Sequence, residues 1–429
     1  MTNKMSEEAI DLVFIRHQSL ERAAMVALRV GRVLMESGAK AEVVQQGASM
    51  VAKGLGAEEV YCRVGYASIS MTLSAGFHTI TRMMGVGGIG VNLQLNHGLR
   101  QLCSKVAKGG MTAAEVSEEL TLLVERTRRH HWVVMALAAG IACASFGRLL
   151  GVDWHAVLPI LLAGMVGQAM RYHLLRLGLN SFVMVGLVAF AAAGLSGYGA
   201  MLAGSATVKI AMSAAVLLLV PGVPVLNAQT DIMEGHPTLG SARAVTVLMV
   251  LVFMTVGVWL AEGVLGGGLK VVSLHHPGLW HQALFGAIAA AGFGILFNFG
   301  WLPLIWAGFA GALALSVRTL GLDIGWTLEV SSFVAAAAVG FSMHLLDLFP
   351  NRTTYAVNTL AVAGCIPMIP GSAAAQSIMG LLGLTAHPID AEINLIATVE
   401  YGLTVFFTIG AIGTGLTIAT HLMRRSEFA

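Results

Sequence analysis

The chain has 429 residues, of which 56% are hydrophobic and 11% charged, and its formal net charge is +2. Soluble globular domains carry about 25% charged residues, so this composition excludes an ordinary soluble protein and predicts a membrane protein. The small net charge, and the lack of basic runs interleaved with aromatic residues, also argue against a nucleic-acid partner.

The charges are distributed unevenly along the chain. Residues 1–130 hold 15 Lys and Arg and 12 Asp and Glu, more than half of the 25 basic and 23 acidic residues in total. Because ionisable residues are costly inside a bilayer, this distribution predicts a mixed-charge domain at residues 1–130, followed by a membrane portion.

The segment 1–130 has the pattern of a small cytosolic α/β domain. Helical spacing predicts helices at 19–37 and 41–54, alternation predicts a strand pair over 59–73 and a strand at 77–84, and a further helix is predicted at 91–108. Thr112 and Glu115 have the spacing of a capping box that starts the last helix. The N-terminus lacks the basic-then-apolar pattern of a cleaved signal peptide.

No pattern in the chain predicts an enzyme, a cofactor or a metal site. The glycine-rich stretch at 85–90 does not keep the GxGxxG or Walker spacing, and no GxSxG motif occurs. Metal-ligand or disulfide spacing is also missing among the four scattered cysteines, Cys62, Cys103, Cys143 and Cys365.

Beyond residue 130 the sequence consists of apolar runs of about 20 residues, the length that crosses a bilayer. Ten spans are predicted, near 132–150, 156–176, 181–201, 207–233, 242–265, 281–299, 302–320, 328–347, 356–382 and 393–422. The longest loop, 266–281, divides them into two five-helix repeats at residues 131–265 and 281–422.

The basic residues at the ends of these spans predict the orientation. If residues 1–130 are cytoplasmic, the inside-facing ends carry Arg126, Arg128, Arg129, Arg171, Arg176, Arg243, Arg352, Arg424 and Arg425. The outside-facing ends carry Arg148, Lys209, Lys270 and Arg318. This excess inside obeys the positive-inside rule and predicts that both termini are cytoplasmic.

The two halves resemble each other in sequence, which indicates an internal duplication. Short matches pair Ala163-Gly164 with Ala307-Gly308, Leu177-Gly178-Leu179 with Leu320-Gly321-Leu322, and Ser181-Phe182-Val183 with Ser332-Phe333-Val334. The sharpest match pairs Pro221 and Pro224 with Pro367 and Pro370, at one common offset along the chain. Because each repeat has an odd number of spans, the second enters the bilayer from the opposite side, which predicts an inverted 5+5 repeat and alternating access.

The paired prolines also predict where the substrate binds. Proline removes a backbone donor and clashes with the preceding turn, so each PxxP should break its span near the middle. Such breaks are tolerated where they line protein or a wet cavity, and half-helix N-termini attract anions such as a carboxylate. We therefore predict a substrate site built from the breaks and the polar residues that follow them: Pro221, Gly222, Pro224, Asn227, Gln229, Asp231, Pro367, Pro370, Gly371, Ser372 and Gln376.

Three carboxylates are candidates for proton coupling, namely Glu400, Asp231 and Glu234. Glu400 lies inside the tenth predicted span, where a carboxylate is costly and usually functional, although hydration near the outer interface would also explain it. Asp231 and Glu234 lie near the inner end of the fourth span, where simple solvation is the alternative.

Several of these segments resemble the bacterial threonine/serine exporter family. In the N-terminal domain the similar residues are Gly31-Arg32-Val33-Leu34-Met35-Glu36-Ser37-Gly38-Ala39, Thr81-Arg82, Asn92 and Gly110-Met111-Thr112. In the membrane portion they are Pro221-Gly222-Val223-Pro224 through Asp231 to Gly235, Gly240-Ser241-Ala242-Arg243 and Ile366-Pro367-Met368-Ile369-Pro370-Gly371. Glu400 departs from the small apolar residues expected there.

The resemblance implies export of threonine and serine across the bacterial inner membrane, driven by the proton motive force, with the soluble domain in the cytosol. Relatives with the two halves on separate chains resemble succinate exporters, so a dicarboxylate is the alternative substrate. A membrane sensor without transport, or a channel, is a further alternative. The role of the cytosolic domain, including one in forming a homo-oligomer, stays open.

Overall fold

The computed structural model describes residues 2–266, 278–346, 357–386 and 391–423. The chain divides into two compact units. The N-terminal unit comprises Met1–Arg129 together with Thr230–Arg243, and the helical unit comprises His130–Gln229 and Ala244–Arg424. Four residues used to predict the orientation lie outside the described residues: Lys270, Arg352, Arg424 and Arg425.

The N-terminal unit has the predicted mixture of helices and a small sheet. Its elements are α1 (Thr2–Glu36), α2 (Ala41–Gly54), β1 (Glu59–Val64), β2 (Ser68–Ala75), β3 (His78–Gly85), α3 (Leu93–Ala107) and α4 (Ala113–Arg126). The strands form an antiparallel sheet in the order β1-β2-β3. The predicted capping box is present, with Thr112 and Glu115 each bonding the other's backbone. The first helix begins at Thr2, well before its predicted start at residue 19.

The core of this unit lies between one face of the sheet and the helices. Ile69, Met71 and Leu73 alternate along β2 and are fully buried, as a half-buried strand requires. Leu239, from the short segment Thr230–Arg243, belongs to the same buried cluster. A stretch that follows the predicted fourth span in sequence is therefore part of the core of the N-terminal unit.

The helical unit contains the remaining helices, although the chain passes from one unit to the other within α9 and again within α10. The helices are α5 (Trp132–Leu149), α6 (Trp154–Arg176), α7 (Ser181–Leu202), α8 (Val208–Val216), α9 (Gly222–Met233), α10 (Pro237–Val264), α11 (Leu279–Leu296), α12 (Trp301–Asp323), α13 (Leu328–Leu346), α14 (Val357–Cys365), α15 (Gly371–Ala386) and α16 (Ala391–Leu422). Short 3₁₀ turns at Leu217–Leu219 and Ile366–Met368 follow α8 and α14.

The number of candidate spans is smaller than the ten predicted. Within the described residues, seven helices are long and apolar enough to cross a membrane, and two bent helix pairs raise the number to nine. The predicted span that is missing from this set is 156–176, which corresponds to α6. Its C-terminal half carries Gln168, Arg171, His173 and Arg176, which lower its apolar character.

The first two helices of the two halves match in length. Helices α5 and α11 both have 18 residues, and α6 and α12 both have 23. The connections match as well, because Gly151 (φ 86°) and Asn298 (φ 62°) occupy the same left-handed position after α5 and α11. The backbone of the first two helices in one half is therefore repeated in the other.

Aligning the helices of the two halves from their first residues corrects the short sequence matches. Ser181 and Leu328 are the first residues of α7 and α13, so Ser181 is equivalent to Leu328 and not to Ser332. In the same way, Ala163 of α6 is equivalent to Ala310 of α12 and not to Ala307, when the helices are aligned from their first residues. The short matches therefore pair residues that are not equivalent in the structure.

Candidate functional site

The first predicted break occurs between α8 and α9. The 3₁₀ turn Leu217–Leu219 ends at Val220, whose extended backbone (φ −63°, ψ 121°) changes the direction of the chain. The N–H of Val220 donates to the carbonyl of Leu217 at 3.1 Å, and the N–H of Gly222 donates to the carbonyl of Val220 at 2.9 Å. The helices on the two sides are bent by 59°. Pro221 lies at the bend, where its missing N–H removes no helical hydrogen bond.

The second break, between α14 and α15, repeats this geometry. Ile369 has φ −66° and ψ 126°, and the bend is 50°. The N–H of Ile369 donates to Ile366 at 3.0 Å, and the N–H of Gly371 donates to Ile369 at 2.8 Å. These two bonds are the counterparts of those that Val220 and Gly222 make at the first break.

The structural alignment of the breaks corrects the pairing of the prolines. The matching hydrogen bonds make Pro221-Gly222 equivalent to Pro370-Gly371. Pro224 therefore falls in the first turn of α9, whereas Pro367 lies in the 3₁₀ turn before the second break. The shared element of the two breaks is a Pro-Gly dipeptide, and the common PxxP spacing pairs residues that are not equivalent.

The two breaks pack against each other reciprocally. A Cβ atom added to Gly222 would lie 3.1 Å from Cδ1 of Ile369, and one added to Gly371 would lie 2.9 Å from side-chain atoms of both Leu217 and Val220. Each glycine thus permits the approach of the other half's break. A larger side chain at either position would have to displace these side-chain atoms, and the displacement would be greater at Gly371 than at Gly222.

The polar residues that follow the breaks have different surroundings. Gln229 donates from Nε2 to the carbonyl of Gly410 of α16 at 3.1 Å. Asn227 and Ser372 are half-buried, and Gln376 is exposed. Asn227 and Gln376 occupy equivalent positions in α9 and α15, so each half places an amide at the same distance beyond its break.

Asp231 and Glu234 lie in the N-terminal unit rather than at the breaks. Asp231 is fully buried; its Oδ1 accepts the N–H of Ala41 at 2.8 Å and its Oδ2 accepts Nη1 of Arg243 at 2.6 Å. Arg243 also donates from Nη2 to the carbonyl of Ala39 at 2.9 Å. Both oxygens of the Asp231 carboxylate are therefore engaged within this unit.

The Asp231 carboxylate caps helix α2. The residue before α2, Lys40, makes no side-chain cap of its own, and the free N–H groups at a helix N-terminus favour a carboxylate. Asp231 supplies that carboxylate from a distant part of the sequence. Its position is therefore explained by helix capping and by its ion pair with Arg243.

Glu234 has a perturbed acidity. Nζ of Lys40 lies 2.5 Å from its Oε1. Burial nevertheless raises the pKa of the Glu234 carboxyl to about 7, because the opposing effect of the Lys40 ammonium is smaller and Glu42 adds to the increase. A carboxyl with this pKa exchanges its proton near neutral pH.

Glu400, the remaining proton-coupling candidate, has an exposed side chain on α16. Its backbone carbonyl accepts a hydrogen bond from the hydroxyl of Thr404 at 2.9 Å. Glu400 belongs to the helical unit, whereas Asp231 and Glu234 belong to the N-terminal unit. The three candidates therefore do not form one cluster within either unit.

The sequence did not indicate that Arg318 lies near the second break, because this arginine falls at the end of a predicted span. Arg318 belongs to α12, and its Nη1 donates to the carbonyl of Met368 at 3.2 Å, directly before the second break. The signal in the sequence was a cation within an apolar run, which is itself a functional indication. No group of three or more His, Cys, Asp or Glu in the described part of the chain is placed to hold a metal ion.

The apolar helices and the two broken ones define a multi-pass membrane protein with the helix breaks of secondary transporters. The chain belongs to the threonine/serine exporter family, ThrE: one family profile matches residues 25–265 and a second, ThrE_2, matches residues 282–422.

Three bacterial relatives are similar to parts of the chain. A protein of Escherichia coli K12 named "Probable succinate transporter subunit YjjP" is 27% identical over 56% of this chain and 94% of its own length. A protein of the same name from Klebsiella aerogenes is 25% identical over 53% of this chain and 88% of its own. An uncharacterized Haemophilus influenzae protein is 29% identical over 35% of this chain and 49% of its own. No solved structure matches the chain.

Proposed function

We propose that the protein exports a small polar metabolite that carries a carboxylate, with threonine and serine as the leading substrates. The observation that supports this most directly is the reciprocal packing of Gly222 and Gly371 against the opposite break. Two interrupted helices that meet in this way leave free helix ends inside the protein, which is where transporters of this architecture bind substrate.

Alternating access is the proposed mechanism. If α6 crosses the bilayer in spite of its polar residues, each half has five passes and the second half is inverted relative to the first. Inverted halves can exchange conformations, which makes inward-open and outward-open states similar in energy. The matched lengths of the first two helices in each half support this proposal.

Proton coupling and an inner-membrane location with cytoplasmic termini are part of the same proposal. Glu234, with a pKa of about 7, and Glu400, on a membrane helix, are the candidates for carrying the proton. Asp231 is a weaker candidate, because both of its carboxylate oxygens already accept hydrogen bonds from Ala41 and Arg243.

Succinate is the second candidate substrate. The support for it comes from the two relatives named as succinate transporter subunits, which align with little more than half of this chain. Succinate and the hydroxy amino acids share a carboxylate and differ in the group at the other end, so the same breaks could serve either.

Efflux from proteoliposomes preloaded with labelled threonine, serine or succinate tests the proposal, with and without a proton gradient. Gly222→Val and Gly371→Val should both lose most of the efflux, because the added side chain forces the breaks apart at a cost of about 1–3 kcal/mol. Gly263→Val is the matched control, since a Cβ atom there meets nothing within 4 Å.

Threonine or serine efflux that falls in both break variants and persists in the control would support the proposed exporter. Efflux of succinate alone would change the substrate and keep the site. If the wild type moves none of the three compounds, the transporter proposal is wrong and the sensor hypothesis returns.

A further inference from the structure

Arg318 brings a positive charge to the second break. Its side chain is partly buried, and its Nη1 donates to the carbonyl of Met368, a fully buried residue at the end of the 3₁₀ turn. No acidic side chain among the described residues forms an ion pair with it. A guanidinium has five N–H donors, so the hydrogen bond to Met368 leaves most of them available to another acceptor. A cation placed within a membrane helix normally has an anionic partner or serves a ligand.

The two breaks differ in the backbone donors that they offer. In α15 the first helical hydrogen bond is made by the N–H of Ala374, which donates to the carbonyl of Pro370 at 3.0 Å. The N–H groups of Ser372 and Ala373 come before it in the first turn and have no acceptor within the helix. At the equivalent positions of α9 stand Val223 and Pro224, and proline has no N–H. The second break therefore offers one more backbone donor than the first, together with the hydroxyl of Ser372.

We propose that Arg318 binds the carboxylate of the transported molecule at the second break, together with the N-terminus of α15. This inference rests on the proposed function and deepens it, because it makes the two breaks unequal. The second break would receive the carboxylate, and the first break would receive the other end of the substrate. Arginine suits this role because its planar fork can donate two parallel hydrogen bonds to one carboxylate.

The shared chemistry of the candidate substrates is the carboxylate, so the ligands of the test differ in that group. The purified full-length protein is titrated with threonine, serine and succinate, and with threoninol and succinamide, in which the carboxylates are replaced by neutral groups. Ligand binding is followed as thermal stabilisation, for the wild type and for Arg318→Gln, Arg318→Lys and Arg176→Gln. Arg176 is the matched control, because it is an exposed arginine on α6, the helix equivalent to α12.

We expect Arg318→Gln to weaken binding of the carboxylate ligands at least about tenfold, and Arg318→Lys to keep part of it, because a charge-assisted hydrogen bond is lost. Arg176→Gln should bind as the wild type does, and the neutral analogues should bind weakly to every variant. Equal affinity of the wild type and Arg318→Gln for the carboxylates would overturn the inference, as would equal affinity of the wild type for threonine and threoninol.

The binding assay separates this inference from the proposed function. A wild type that transports a carboxylate while Arg318→Gln binds it unchanged would refute only the role of Arg318. A wild type that shows Arg318-dependent binding of carboxylates but no flux in proteoliposomes would retain the binding site and refute transport. A wild type that binds none of the carboxylates would refute the role of Arg318, whatever the flux.

Discussion

At the scale of single residues, charged side chains near the fourth predicted span serve the N-terminal unit. Asp231 joins Ala41 of α2 to Arg243 of α10, and its carboxylate is fully buried. Removing one partner of a buried ion pair costs about 3–5 kcal/mol, because the other charge is left uncompensated. A loss of function in a variant of Asp231 would therefore have to be separated from a loss of folding.

Glu234 provides a prediction about pH. Its pKa is raised from the ordinary 4.5 to about 7, so its contribution to stability is present in full below pH 4.5 and is lost as the pH rises through 7. Between these two pH values the wild type should lose stability relative to Glu234→Gln, by at most about 1.4 kcal/mol per pH unit. Differential scanning fluorimetry of both proteins at several pH values measures the difference.

The comparison between the two proteins isolates the Glu234 carboxyl group. The charged groups that act on this carboxyl, Lys40 and Glu42, are common to both proteins, as is the neighbouring ion pair of Asp231 and Arg243. Their effects on stability therefore contribute to both curves. Parallel pH dependence of the wild type and Glu234→Gln would show that burial does not raise the pKa of Glu234 above its value in the unfolded chain.

At the scale of elements, the position of proline relative to each break decides what the following helix offers. Pro221 and Pro370 are equivalent and mark the bend itself. Pro224 lies in the first turn of α9 and removes a donor, whereas Pro367 lies before the second break and leaves the donors of α15 in place. Two PxxP motifs of the same spacing therefore produce half-helices with different numbers of first-turn backbone donors.

This difference predicts the effect of exchanging one residue. Ala373→Pro gives α15 the proline that α9 has at the equivalent position, so the helix should form but lose one backbone donor. We expect carboxylate binding to weaken by roughly ten- to a hundredfold, since a hydrogen bond to a charged group contributes about 1.5–3 kcal/mol. Ala373→Val is the control, because valine adds similar volume and keeps the N–H. Equal affinities of the two variants, measured by thermal stabilisation, would contradict the prediction.

At the scale of the whole molecule, the first two helices and the helix break of one membrane half have counterparts in the other. The first family profile ends at residue 265 and the second begins at residue 282. The Escherichia coli relative aligns over nearly its whole length with little more than half of this chain. Each half contributes one break to the packing around Gly222 and Gly371. We infer that neither half forms the site alone.

Dividing the chain tests this inference. Residues 1–270 and 271–429 expressed together should associate and restore substrate efflux, because the contact between the breaks depends on packing rather than on a covalent connection. Either fragment expressed alone should give no efflux. Co-purification through a tag on one fragment, followed by the proteoliposome assay, checks both statements. Efflux from one fragment alone would place the whole site within a single half.

The sequence by itself determined the features that depend on local composition and spacing. Apolar runs identified the membrane helices, alternation identified the strands of the small sheet, and the capping box at Thr112 located the start of α4. The prolines identified both breaks, because the loss of a backbone donor is a property of the residue itself. The resemblance to the exporter family came from these same local motifs.

Only the tertiary structure decided which distant residues act together. The cap that Asp231 gives to α2, and the hydrogen bond from Arg318 to Met368, both join residues that are far apart in sequence. The equivalence of Pro221 with Pro370 also required the backbone geometry, because the repeated spacing of the prolines favoured a different pairing. Such pairings depend on how helices pack across the fold, and the local pattern of side chains contains no record of that packing.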